Sequence, residues 1–325
     1  MNDRKEKYFL NFSIILILAA AFGVAYVLFL LPEDISLGGK EERNIFGATY
    51  MTMNNPFYQT VDSQMRADIE KNGDVLLTRD AAMNQDRQNE EIRELINSGA
   101  EVIFLTPVEW DHASEGIEAA RAAGVKIIVV DTFVSNPESV TCSVVSDNYQ
   151  AGVLCAEHLL SVRDEAKIIL LEHITARSGT ERIRGFTDTI AGHDGFEVVG
   201  SGESDGQIEN AMPVMEELLR KYPDADTVMA LNDPSAFGAM AAIEGAGLSD
   251  RFLVYSVDGS PEAKTLINDG MMTASCAQFP NVMADEAVSA AYRSLKGLEV
   301  EKEIIIKVKL ITEKNVSEYG TFGWQ

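Results

Sequence analysis

Ten short runs rich in Val and Ile recur along this chain: Ile45–Met51, Val75–Thr78, Val102–Leu105, Ile127–Val130, Val140–Val145, Ile168–Leu171, Val198–Gly200, Val228–Leu231, Leu253–Val257 and Thr273–Ala277. They lack the polar alternation of a strand with one wet face, so they read as strands buried on both faces, in parallel sheets covered by helices. Between most of them lie stretches with helical periodicity, such as "NQDRQNEEIRELINSGA" and "NAMPVMEELLRKYP". Alternating strands and helices predict an α/β fold. Ten strands exceed one ordinary sheet, and 325 residues suffice for two cores, so the economical architecture is two doubly wound lobes.

This pattern points to a site. In open parallel sheets, ligands collect outside the carboxyl ends of the strands. The residues leaving the runs are Asn54 and Asn55, Asp131, Asn232 and Asp233, Asp258, and Gln278. Asp and Asn are also common helix N-caps, and Pro56 and Pro234 directly after such residues fit capping. Phe57 and Tyr58 stand at the same junction, behind the first run. Aromatic rings can pack on the C–H face of a sugar while Asp, Asn and Gln bond its hydroxyl rim. Phe57 could equally staple its own helix.

The stretches "NNPFY", "VVDT", "SDNYQAG", "GTERIRGF", "LNDPSAFGAMAAIEGAG", "VYSVDGSPEA" and "INDGMMTASCAQFP" resemble, in order and spacing, the periplasmic monosaccharide-binding proteins, the ribose binders among them. The resemblance spans about residues 44–310. It implies a type I periplasmic-binding fold, with two α/β lobes, a hinge crossed near Val145–Asp147, Gln278 and Lys307–Val308, and a sugar held in the cleft. The lobes would comprise 44–146 with 279–307, and 147–278 with 308–325. The implied sugar contacts are Asn55, Phe57, Tyr58, Asp131, Arg182, Asn232, Asp258 and Gln278. Two positions depart from the ribose pattern. Thr132 replaces an arginine and Gly206 replaces a phenylalanine, so both are possible contacts of a roomier pocket. The ligand expected is a monosaccharide or sugar-like molecule, with no cofactor.

The N-terminus predicts the location. Residues Ser13–Leu31 carry no charge, and nineteen helical residues approach the ~30 Å of a bilayer core. Arg4, Lys5 and Lys7 precede the span and place residues 1–12 in the cytoplasm. Residues 32–43 would tether an exported body. A cleaved signal is the alternative, with Ser36-Leu37-Gly38 as a tolerable cut. No cysteine lies near the segment for lipid modification; Cys142, Cys155 and Cys276 each fall in apolar runs and are expected to be buried and inert.

Net charge excludes another class. With 51 acidic against 27 basic residues, the formal charge is −24, which repels nucleic-acid phosphates. "GESDG" satisfies the G-x-S-x-G pattern of hydrolases, yet all four histidines precede it, whereas that fold needs one downstream. Asp131 and Asp258 as a glycosidase pair lack any sign of a raised-pKa acid. No phosphate loop or paired Cys–His metal spacing occurs. The chain therefore reads as a binder and not an enzyme. Its partner would be an ABC permease, or alternatively a membrane sensor kinase receiving occupancy from an anchored body.

Overall fold

The computed structural model describes residues 43–325. The uncharged segment 13–31 and nearly all of the tether lie outside the described residues; among those described, no helix is long and apolar enough to cross a membrane. The strands are β1 (Ile45–Tyr50), β2 (Val75–Asp80), β3 (Val102–Leu105), β4 (Lys126–Asp131), β5 (Cys142–Ser146), β6 (Ala166–Glu172), β7 (Phe196–Glu203), β8 (Thr227–Ala230), β9 (Leu253–Asp258), β10 (Ala274–Ala277), β11 (Glu303–Ile306) and β12 (Lys309–Thr312). The helices are α1 (Pro56–Lys71), α2 (Gln85–Asn97), α3 (Ser114–Ala122), α4 (Asn148–Val162), α5 (Arg177–Ile190), α6 (Ile208–Lys221), α7 (Asp233–Gly245), α8 (Pro261–Asn268), α9 (Pro280–Leu295) and α10 (Val316–Tyr319).

Two six-stranded sheets result, in the orders β11-β5-β4-β3-β1-β2 and β12-β10-β9-β8-β6-β7. Every pairing is parallel except β10 with β12. Each sheet reverses strand order at one point, between β1 and β3 in the first and between β6 and β8 in the second. Such switch points open a crevice at the strand ends. The chain passes between the sheets after β5, after β10, and through the two residues joining β11 to β12.

Strand alternation divides each sheet between two dry faces. In β3, Val102 and Phe104 join a core with Phe46, Met65 and Ala287, whereas Ile103 and Leu105 join Ile92, Leu95 and Ile117 on the other side. In the second sheet, Ile169 and Leu171 pack with Met215, Val228 and Val254, while Ile168 and Leu170 pack with Leu159 and Phe186. Parallel strands sandwiched in this way need no polar face, which explains the unbroken apolar runs. The ten-run reading missed β11 and β12. Both are four-residue edge strands with partly exposed residues; β11 has the apolar triplet Ile304–Ile306, which was passed over among its charged neighbours, and in β12 only Leu310 and Ile311 are apolar. The edge strand β7 likewise showed only its middle, because most of its residues are exposed or half-buried.

Helices α4 and α5 pack backbone to backbone. A Cβ on Gly152 would lie 1.9 Å from the Arg182 carbonyl oxygen, and one on Gly185 would lie 2.0 Å from that of Tyr149. Only glycine permits this approach, and it fixes the height of Arg182 above the second sheet.

Candidate functional site

A cavity lies between the ends of the two sheets, with about 380 Å³ free of protein atoms counted to its solvent mouth. Its walls include Asn55, Phe57, Tyr58, Asp131, Arg182, Asn232, Asp258 and Gln278, all eight residues implied by the resemblance, together with Gly206. Thr132 does not reach it. Its side chain is wholly buried and its Oγ1 accepts a hydrogen bond from Ser178 N at 3.0 Å, so it ties the lobes and does not face a guest.

Arg182 occupies the centre and is only 3 % exposed. Its Nε donates to Asn148 Oδ1 at 2.8 Å and its Nη1 to the Leu231 carbonyl at 3.0 Å. These bonds aim the guanidinium between the acids: Nη2 stands 3.9 Å from Asp131 Oδ1 and Nη1 stands 3.8 Å from Asp258 Oδ1. Both gaps exceed hydrogen-bond length. Asp131 Oδ1, Arg182 Nη2 and Gln278 Oε1 are accordingly buried without any partner.

The remaining bonds hold the acids in place. Tyr58 donates its hydroxyl to Asp131 Oδ2 at 3.0 Å, and Gln278 Nε2 donates to Asp258 Oδ1 at 2.8 Å. Behind Asp258, the buried Asp233 accepts from Ser275 Oγ at 2.7 Å, from Ser260 N at 2.8 Å and from Ser256 Oγ. The sequence gives no sign of a raised-pKa acid, but the structure does: burial raises the pKa of Asp131 against the opposing pull of Arg182. Burial and the neighbouring Asp233 push Asp258 well up, again opposed by Arg182. Asp131 and Asp258 also take positive φ values, +75° and +140°, at the ends of β4 and β9. Asp205, on the cavity wall, has φ +50°. Such backbone strain in non-glycine residues clusters at ligand sites.

The capping alternative proves compatible with the site. Asn55 Oδ1 accepts from Phe57 N and caps α1, and Asn232 Oδ1 accepts from Ser235 N and caps α7, yet both line the cavity. Phe57 is buried in the first lobe's core and meets Trp324 edge to face at 5.6 Å. Its one ring therefore serves the core and the wall together.

Sequence reasoning missed His173, Ser178, Asp205 and Gln207 on the wall, and Trp324 behind it. His173 follows the end of β6, and the strand-exit rule applied there would have found it. Burial lowers its pKa to about 4, so the imidazole is neutral near pH 7. Across the mouth, Asn54 Nδ2 donates to Gln207 Oε1 at 3.3 Å, Trp110 N donates to the Thr175 carbonyl at 3.1 Å, and the Arg177 guanidinium lies over the Trp110 ring at 5.0 Å. The lobes are closed. Ser204 of the "GESDG" stretch is buried and bonded to the Glu172 carbonyl and Ser235 Oγ, away from any nucleophile's exposure. The three cysteines are free and buried.

The periplasmic binding protein domain matches residues 46–299 of the chain. The ribose import binding protein of Bacillus subtilis is 32 % identical over 279 residues, covering 85 % of this chain and 90 % of that one. An ABC transporter solute-binding protein from Mycobacterium smegmatis with bound glycerol superposes with a TM-score of 0.82 at 27 % identity, over 87 % of this chain and all of that one (100 %). One from Bacillus halodurans with bound myo-inositol gives a TM-score of 0.81 at 24 % identity, over 87 % and 99 %.

Proposed function

This chain belongs to the periplasmic binding protein family, a family of binders and not enzymes, and on that premise we propose that it captures a monosaccharide or sugar-like polyol in its cleft and delivers it to an ABC importer. The observation that carries the ligand class is the convergence of Asp131 Oδ1, Arg182 Nη2 and Gln278 Oε1, buried and unpartnered, on one cavity. Each unmet buried group costs about 1–3 kcal/mol. A hydroxyl can donate to the carboxylate and accept from the guanidinium, so adjacent ring hydroxyls meet all three needs. Three satisfied groups amount to ~3–9 kcal/mol, against the ~8 kcal/mol of a micromolar complex. Phe57 supplies the apolar wall for the ring's C–H face. The solved relatives hold glycerol and myo-inositol, both polyhydroxylated, which favours the same reading.

Closure couples to binding through the same groups. An empty closed cleft strands two carboxylates and a guanidinium, whereas an open one returns them to water. The ligand therefore favours the closed state by the difference. We assign 44–146 with 279–307 to one moving lobe and 147–278 with 308–325 to the other. Asn55, Phe57, Tyr58, Asp131, Arg182, Asn232, Asp258 and Gln278 are the ligand contacts in this reading. A thermal-shift panel of pentoses, hexoses, polyols and inositols tests it, since a ligand that binds only the native state raises Tm. No shift with any polyol would refute it.

The uncharged segment 13–31 favours an anchored body in the cell envelope, and with it a second reading: a sensor that reports occupancy to a membrane kinase. Pull-down of the solubilised full chain, with and without ligand, separates the two. Permease subunits support import, and a kinase supports sensing.

A further inference from the structure

The segment after α10 leaves the second lobe and reaches the first. Val316 and Tyr319 of α10 pack in a core of the second sheet, whereas Trp324 packs on a core of the first. The residues between them thus span the lobes beside the three hinge passages. Two adjacent residues of this segment touch three of the ligand contacts. Trp324 meets the Phe57 ring edge to face, with centroids 5.6 Å apart and planes at 74°. Gln325 Nε2 donates to the backbone carbonyls of Asp258, at 3.2 Å, and of Gln278. The amide packs on Gly259, where a Cβ would lie 3.0 Å from Nε2. Lys264, wholly buried in α8, donates to the Gly323 carbonyl at 2.9 Å and to Gln325 Oε1 at 3.2 Å. Both amide protons and the amide oxygen of Gln325 are therefore in use. Phe322, two residues before Trp324, is 96 % exposed, so the segment is not a plug collapsed on apolar surface.

We propose that Trp324 and Gln325 position the ligand site from outside it: Gln325 and Lys264 fix the segment to the ends of β9 and β10, and Trp324 holds the Phe57 ring at the angle a sugar's C–H face meets. This deepens the polyol-binding reading and rests on it. Phe57 begins a helix of the first lobe, while Asp258 and Gln278 follow strands of the second. The segment therefore sets the apolar wall of one lobe relative to the polar groups of the other. Trp324 is not among the cavity's lining residues, so it acts through Phe57 and not by contact. An edge-to-face pair is worth roughly two- to tenfold in an equilibrium constant. A ring ordered before the ligand arrives spares that much of the cost of binding.

The test is a double-mutant cycle in affinity, measured by titration calorimetry on the purified full chain. The probe is whichever of D-ribose, D-allose and myo-inositol the wild type binds most tightly. Trp324→Ala is expected to weaken binding roughly two- to tenfold. Trp324→Phe again offers an aromatic ring to Phe57 and should recover most of the loss, and Phe322→Ala should leave affinity unchanged. In a Phe57→Leu background, with no ring left to aim, Trp324→Ala should cost no further affinity. An equal loss in both backgrounds overturns the proposal, because Trp324 would then act on the fold and not through Phe57. Unchanged affinity in Trp324→Ala overturns it too. Trp324→Leu takes the alanine's place in the cycle if the alanine variant does not show a native circular dichroism spectrum. A wild type that binds none of the three compounds refutes polyol binding itself, and the proposal with it, before any variant is made.

Discussion

Replacing Arg182 by Met keeps the bulk of the side chain and deletes its charge. In the closed cleft the guanidinium stands 3.9 Å from Asp131 and 3.8 Å from Asp258. At an effective dielectric constant of ~20, each such separation is worth about 4 kcal/mol. The sum overstates the loss, because an orphaned carboxyl takes up a proton. Removing one partner of a buried ion pair costs ~3–5 kcal/mol in practice. That cost falls on the closed state, since in an open cleft water solvates both acids. Affinity for the tightest wild-type ligand should therefore drop by roughly 10² to several thousand-fold, at 1.36 kcal/mol per factor of ten. Calorimetry measures the drop. The ligand-free protein loses the bonds to Asn148 and Leu231, about 1 kcal/mol each, so its melting point should fall by only several degrees. Binding by Arg182→Met within tenfold of wild type, in a variant with a native circular dichroism spectrum, would refute the argument that the guanidinium balances the two acids.

Three other outcomes are expected. Gly152→Ala drives a Cβ into the Arg182 carbonyl, so α5 must move; stability should fall by about 1–3 kcal/mol in denaturant titration, and ligand affinity should fall with it, although residue 152 touches no ligand. Burial raises the pKa of Asp131 and Asp258, so acidification should protonate them above the ordinary carboxylate range near 4 and weaken binding from there, and an unchanged Kd down to pH 4 contradicts their role as ionised acceptors. His173 has the opposite sign as a stability group: its folded pKa near 4 lies below the ordinary ~6.5, so its contribution is complete above pH 6.5 and disappears toward pH 4, a loss that His173→Gln should remove from the pH profile of Tm.

The strand ends were legible because the sheets are buried on both faces. An unbroken apolar run tells where a strand stops, and Asp131, Asn232, Asp258 and Gln278 each come directly after such a stop. Arg182 has no such marker. It lies within a helix, among other charged residues, and only the packing of Gly152 against its backbone shows why its head reaches the cleft. His173 had the marker, yet a lone histidine beside an apolar strand also reads as core. Asp205 and Gln207 follow β7, whose mostly exposed or half-buried edge gives a faint strand signal. Trp324 carried no local signal at all, since it meets Phe57 from the far end of the described chain.

The chain has two tryptophans, and both sit where one lobe touches the other: Trp110 under Arg177 and beside Thr175, Trp324 against Phe57. The indoles are thus native optical probes of cleft closure. Domain motion will alter the solvent and quenching charge around each of them, so an unlabelled sample can report its own opening rate by stopped-flow emission.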